Sequence, residues 1–156
     1  YAVLKSMEHR AGVGAQPNSG DGAGILTALP YDFLARVVPE ELGIDVPAKG
    51  ALGVGLVFLP QDLNERTLCK QEVESLVAQH GQQMLGWRVV PVESDKANLG
   101  TAAKLTEPYS EQLLITAAPG LDQDSFERQL YLIQILRKKI VFFAPLESQL
   151  PPPNLL

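Results

Sequence analysis

Three groups of residues in this sequence have side chains or spacing that could do chemistry. The run Gly20-Asp21-Gly22-Ala23-Gly24 is a glycine-rich loop of the kind that can cradle a phosphate. The triplet Glu8-His9-Arg10 places an acid, a base and a guanidinium side by side shortly before that loop. Cys69 and His80 could supply a nucleophile and a proton acceptor. Whether any group acts depends on the elements that hold it.

The glycine loop does not have the context of a nucleotide site. It precedes a predicted strand, Ile25–Leu29, whereas a dinucleotide-binding loop follows a strand and opens a helix. It also lacks the Lys-Ser/Thr pair of a P-loop. Glycine at this density is typical of a turn with positive φ angles or of a main chain that closely approaches another group. We therefore favour a structural turn over a phosphate site.

The remaining candidates have equally plain structural explanations. Cys69 and His80 lie on the apolar side of a predicted helix, which favours a buried thiol and a packed imidazole. Glu8-His9-Arg10 is as typical of a solvated helix end as of a carboxylate-binding site. One cysteine cannot form an intrachain disulfide or a multi-thiolate metal site. Residue chemistry alone therefore predicts no catalytic residue and no metal site.

Composition limits the function classes further. Of the 156 residues, 46% are hydrophobic and 20% are charged, as in a single globular domain. A net charge of −5 disfavours binding to nucleic acid or to an anionic membrane. No apolar run approaches the roughly 20 residues of a membrane helix. With a single cysteine, these features lead us to expect an intracellular protein that does not span a membrane.

The sequence predicts strands and helices that alternate along the chain. We expect the strand at 51–59 to be central in its sheet, because its residues are almost all apolar or glycine. The sequence predicts a helix end at 1–10, a loop at 11–24, strands at 25–29, 51–59, 84–92, 111–118 and 140–144, a short helix from Pro30 that stops before Pro39, a helix capped by Asn64 and ending near His80, a linker at 93–108, and a helix from Asp124 to about Lys139.

This order predicts an α+β or α/β sandwich with two regions. We expect residues 1–145 to form the domain. We expect residues 146–156 to form an extended tail, because Pro151, Pro152 and Pro153 fit neither a helix nor a sheet ladder. The leucines of the tail suggest that it lies along a partner or along an exposed sheet edge of its own domain. A disordered terminus is equally consistent with the sequence.

Two segments near the start resemble one family. Met7-Glu8-His9-Arg10-Ala11-Gly12, followed by Asn18-Ser19-Gly20-Asp21-Gly22-Ala23-Gly24-Ile25, is similar to the glutaminase domain of glutamate synthase, a class II glutamine amidotransferase. Weaker similarity continues through Leu85-Gly86-Trp87-Arg88 to about residue 140. The resemblance implies part of an N-terminal-nucleophile αββα fold. It also implies that Arg10, Asp21, Gly22 and Gly24 lie near a glutamine pocket.

The resemblance implies a reaction as well. In this family an N-terminal cysteine attacks the glutamine amide, giving glutamate and ammonia, with its own α-amino group as the base. The sequence begins at Tyr1, and the family's Cys-Gly-Val-Gly opening and its downstream glutamine-binding and oxyanion segments are not among these residues. We therefore expect this chain alone to lack glutaminase activity.

Partners and cofactors are also implied by the resemblance. The family's FMN and iron–sulfur cluster belong to other domains, so none is expected in this chain. Its expected partners are other parts of a glutamate synthase or of a larger complex. The alternative is an amidotransferase-derived accessory or scaffold subunit that is catalytically inactive.

Overall fold

A three-stranded antiparallel sheet is the centre of the fold in our computed structural model, which describes Ser6 and residues 28–141, with side chains up to residue 136. The strands are β1 (Leu52–Leu59), β2 (Gln83–Val89) and β3 (Tyr109–Thr116), in the order β1-β3-β2. β3 pairs with β1 from Leu52↔Thr116 to Leu59↔Tyr109 without interruption. Its pairing with β2 contains a bulge between Met84 and Gly86.

Residues 28–141 contain four helices: α1 (Tyr31–Leu42), α2 (Leu63–Gln79), the short α3 (Thr101–Leu105) and α4 (Gln123–Val141). α2 and α4 pack together on one face of the sheet, and α1 packs on the other. Hereafter these are the α2/α4 face and the α1 face. The described chain is thus a mixed α/β unit with one sheet between helices.

The larger part of the core lies on the α2/α4 face. Side chains from β1 and β3 meet side chains from both helices, and Phe126 of α4 is 1% exposed. Burial of this apolar surface is the main force that holds the helices on the sheet. The buried members are Val57, Leu59, Val73, Leu76, Val77, Leu113, Ile115, Phe126 and Ile133.

A smaller apolar cluster holds α1 on its face. Leu34, Val37 and Val38 of the helix pack against Leu52 of β1 and Leu114 of β3. Farther along β1 on the same face, Leu56 and Phe58 are 50% and 57% exposed. The described part of the chain therefore covers only part of the α1 face.

Two aspartates cap the long helices, each two positions before the residue expected from the sequence. The Asp62 carboxylate accepts from the N–H groups of Asn64 and Glu65, so Asp62 and not Asn64 is the N-cap of α2. At α4 the Asp122 carboxylate accepts from the backbone N–H of Ser125 and from its hydroxyl. The expected cap at Asp124 is wrong, because the helix starts at Gln123.

α1 continues past the proline at which the sequence predicted its end. Pro39 lies inside the helix, which ends at Leu42 with Gly43 in a left-handed conformation, φ 66°. The Gly43 N–H donates to the Pro39 carbonyl and closes the last turn. Packing of Val37 and Val38 against the sheet outweighs the backbone hydrogen bond that proline cannot donate.

Other boundaries also differ from expectation. Ala28 and Leu29 are in no strand, Ile140 and Val141 belong to α4, and the predicted linker contains α3. β3 lies between β1 and β2, so β1 is at one end of the described sheet although its apolar pattern predicted a central strand. Residues 11–24, 25–27, 142–144 and the tail lie outside the described residues.

None of the helices in the described part of the chain is long and apolar enough to cross a membrane.

Candidate functional site

The four residues that the family resemblance assigns to a glutamine pocket lie outside the described part of the chain. These are Arg10, Asp21, Gly22 and Gly24. Between α1 and the glycine-rich loop Gly20–Gly24, hereafter the motif loop, the structure describes Ala28 to Pro30, which lead directly into α1.

A buried arginine anchors α1 to the sheet. Arg88 of β2 is 6% exposed, and its guanidinium donates to the Glu41 carboxylate of α1 at 2.8 Å and to the Gln112 side-chain oxygen of β3 at 3.0 Å. The same guanidinium lies 5.8 Å from the centre of the Phe33 ring. Arg88 Nε is buried and has no hydrogen-bond partner among the described residues. One side chain thus links β2 and β3 to α1, the helix that follows the motif loop in the sequence.

Tyr31 adds a second attachment at the start of α1. Its hydroxyl donates to the Pro47 carbonyl at 2.8 Å, in the segment that leads into β1. The first residue of the helix is therefore tied to the chain just before β1 begins.

A second buried charge lies on the α2/α4 face. Glu111 of β3 is 5% exposed, and its Oε2 lies 2.8 Å from Nζ of Lys70 in α2. This contact is an ion pair rather than an aligned hydrogen bond. Lys70 Nζ also lies 4.8 Å from the centre of the Trp87 ring, and the Trp87 indole N–H donates to the Glu74 carboxylate at 2.7 Å. The network joins α2 to the two strands below it.

Cys69 has the environment of a structural thiol. It is partly buried and packs against the core of the α2/α4 face. Burial raises the pKa of the Cys69 thiol, and the nearby carboxylates of Glu65 and Glu72 raise it further. A raised pKa keeps the thiol protonated at neutral pH and makes it a poor nucleophile. The structure agrees with the sequence-based interpretation of this residue.

His80 also has a structural environment. It ends α2, where its backbone N–H donates to the Leu76 carbonyl. Its Nδ1 lies 2.9 Å from the Gln129 side-chain oxygen, which links the end of α2 to α4. Gln82, 6% exposed, donates to the His80 carbonyl and accepts from the Ala118 N–H. These contacts fix the turn that leads into β2.

Taken together, the buried polar groups in residues 28–136 hold helices on a sheet. No group of three or more His, Cys, Asp or Glu side chains able to hold a metal ion occurs in the described part.

Sequence reasoning missed the anchoring roles of Arg88 and Glu111. The available signal was a charged residue within each of two predicted strands, since such a residue is rarely buried without a partner.

Comparison with known proteins identifies the class. The sequence model of the family described as "Glutamine amidotransferases class-II" matches residues 1–148. This match spans almost the whole chain, so the chain belongs to the class II glutamine amidotransferases.

Its similar relatives within this class are glutamate synthases. The chain is 42% identical over 139 residues to ferredoxin-dependent glutamate synthase 2 of Synechocystis sp., covering 88% of the chain and 9% of that protein. It is 38% identical over 155 residues to the glutamate synthase [NADPH] large chain of Bacillus subtilis, covering 94% of the chain and 10% of that protein. The chain thus spans about a tenth of the length of these relatives.

An iron–sulfur cluster does not fit the residues of this chain. Iron–sulfur clusters are held by several cysteine thiolates, and the sequence has only Cys69. Its thiol packs against an apolar core and has a raised pKa. We therefore assign no reaction step on these residues to an iron–sulfur cluster.

Proposed function

We propose that this chain is part of the glutaminase domain of a glutamate synthase, which converts glutamine to glutamate and ammonia within a longer polypeptide. The observation that carries the proposal is the family match over residues 1–148, together with 36–42% identity to glutamate synthases across most of the chain. The antiparallel sheet between helices is consistent with part of an αββα fold.

In this proposal the described residues form the scaffold of the glutamine pocket, and the motif residues contribute to its wall. Arg10, Asp21, Gly22 and Gly24 lie near the bound glutamine. α1 begins at Tyr31, seven positions after Gly24, and its Glu41 is held by Arg88, which also donates to Gln112. The anchored helix gives the loop before it a fixed point of attachment. A binding pocket that is held in place in this way loses less conformational entropy when its substrate binds.

The proposal assigns no chemistry to the 156 residues by themselves. An amidotransferase nucleophile of this class is an N-terminal cysteine whose α-amino group is the base. Cys69 cannot replace it, since it lies within α2 and its thiol has a raised pKa. Nucleophile, oxyanion donors and substrate clamp act as a unit, so a part of the domain lacks the activity of the whole.

Ammonia release from glutamine tests this proposal. We expect the purified 156-residue chain to release no more ammonia than its Cys69→Ala variant. The longer native polypeptide that contains this chain should release ammonia, and Asp21→Ala in it should raise KM for glutamine. Ammonia release by the short chain that depends on Cys69 would contradict the proposal, as would an inactive longer polypeptide.

The intact mass of the native polypeptide addresses the accessory-subunit alternative. A mass far above 16.9 kDa, or a companion chain that begins with cysteine, supports the glutamate synthase proposal. A native chain of 16.9 kDa that copurifies stoichiometrically with unrelated proteins supports an inactive scaffold instead.

A further inference from the structure

The two helices that lie side by side on the α2/α4 face differ on their outer sides. The exposed residues of α2 are mostly polar, and its two exposed leucines, Leu63 and Leu68, are five positions apart and so point in different directions. On α4, Tyr131, Leu132 and Ile135 are 62%, 42% and 39% exposed and lie within about one helical turn. Hereafter these three residues are the α4 stripe. Single exposed apolar residues are ordinary on a protein surface, whereas a contiguous group is typical of an interaction site.

Tyr131 of the stripe borders two hollows. The first, of about 450 Å³, lies between α4 and β1. Gly55 leaves it open, because a Cβ built there would come no closer than 4.0 Å to its nearest neighbour. The second, of about 570 Å³, is bordered by Leu132 as well. Such a relief allows the side chains of a partner to pack closely beside the stripe, as they do in specific interfaces.

Charged side chains border the stripe near the start of α4. Asp124, Glu127 and Arg128 are exposed and line the second hollow. Gln123 donates to the Glu127 carboxylate at 2.9 Å, and Arg128 donates to the Ser125 hydroxyl at 2.9 Å, so bonds within α4 hold two of these charges in place. Two acids and one base give the border a negative charge, which basic groups of a partner would complement. An apolar centre with a charged border is typical of a protein interface.

We propose that the α4 stripe packs against another domain of the longer polypeptide, on an apolar surface that has basic groups at its border. This inference rests on the proposed function, which makes the chain part of such a polypeptide. Because the chain spans about a tenth of the length of its glutamate synthase relatives, most of a polypeptide of that length would lie outside these residues. Tyr131 is the expected centre of the contact, since tyrosine is enriched among the residues that dominate interfaces.

Thiol alkylation of the longer native polypeptide tests this contact. In a Cys69→Ala background, Tyr131→Cys is compared with Leu68→Cys, because both positions are 62% exposed in this chain. We expect iodoacetamide to modify position 131 at least about tenfold more slowly than position 68. Mass spectrometry of the two peptides measures both rates.

Leu132→Cys gives a second measurement in case Tyr131→Cys itself loosens the contact. Leu132 is 42% exposed and Leu68 is 62% exposed, a difference too small to change the rate about tenfold by itself. Position 132 should nevertheless react at least about tenfold more slowly than position 68. If positions 131 and 132 both react as fast as position 68, the proposal is overturned.

Two further outcomes identify a different occupant. If deletion of residues 149–156 makes position 131 react quickly, the tail covers the stripe, and if dilution does so, a second copy covers it. Each result overturns the proposal.

Ammonia release from glutamine separates this inference from the proposed function. Slow alkylation in a longer polypeptide that releases no ammonia would contradict the glutaminase role alone. Fast alkylation in one that releases ammonia would contradict the interdomain contact alone. A native mass of 16.9 kDa would contradict both.

Discussion

The two faces of the sheet hold their helices by different means. On the α2/α4 face, nine buried apolar residues form the core, and the ion pair of Lys70 and Glu111 is largely enclosed. On the α1 face, five buried residues form the cluster, and Glu41 of the Arg88 pair is half exposed. α1 therefore depends more on a polar anchor that water can reach. We infer that α1 can shift on the sheet more easily than α2 and α4 can.

The largest expected difference between the faces comes from breaking each ion pair. Lys70→Met leaves Glu111 charged and enclosed, so we expect a loss of about 3 kcal/mol in the free energy of unfolding. Glu41→Met should cost only about 1 kcal/mol, because Glu41 is exposed and Arg88 keeps its bond to Gln112. Urea unfolding measures both losses. Equal losses would show that the two anchors are equivalent.

A smaller effect is expected where α4 approaches β1. An added Cβ at Gly53 would lie 2.7 Å from a Leu130 methyl group and 3.2 Å from the Phe126 ring. We expect Gly53→Ala to lower the free energy of unfolding by about 1–3 kcal/mol through overpacking. The control is Gly55→Ala on the same strand, where the added atom has no neighbour closer than 4.0 Å. A similar loss for both variants would refute close packing at Gly53.

The smallest effect concerns the cap of α4 and depends on pH. Hydrogen bonds from the Ser125 hydroxyl and backbone N–H lower the pKa of Asp122 below 3.8. A lowered pKa in the folded state adds stability above pH 3.8, and this stability is lost as the pH falls through the folded pKa. Asp122→Asn should therefore flatten the fall in Tm between about pH 5 and pH 2, measured by circular dichroism.

Asp124→Asn is the matched control for this cap. Asp124 is the residue that the sequence suggested as the cap, and it lies inside α4. Its substitution should leave the pH dependence of Tm unchanged. If both variants behave alike, the cap at Asp122 does not contribute to the acid sensitivity of the protein.

Local pattern predicted the existence of most elements in the described part but not their arrangement. The apolar run at 51–59 and the helical spacing from Cys69 to Val77 identified β1 and α2. The insertion of β3 between β1 and β2 is set by pairing between distant residues, which local periodicity does not reveal. Pro39 stayed inside α1 for a similar reason, because tertiary packing outweighed a local rule.

The sequence predicted the residues of the candidate site only through short motifs shared with a family. The family resemblance named Arg10, Asp21, Gly22 and Gly24 from short runs of sequence, and their roles stay predictions. Arg88 and Glu111 form their ion pairs with Glu41 and Lys70, which lie 47 and 41 positions away, respectively. No spacing rule connects such residues, so only the folded chain reveals which charges meet.

The position of β3 has a consequence for how the chain folds. β3 is the last strand of the described sheet, yet both other strands pair with it. Its partners on β1 precede it by 50 to 64 positions, from Leu59↔Tyr109 to Leu52↔Thr116. Contacts this distant in sequence form slowly. During synthesis β1 and β2 emerge before their common partner, so this sheet closes only after residue 116 has left the ribosome.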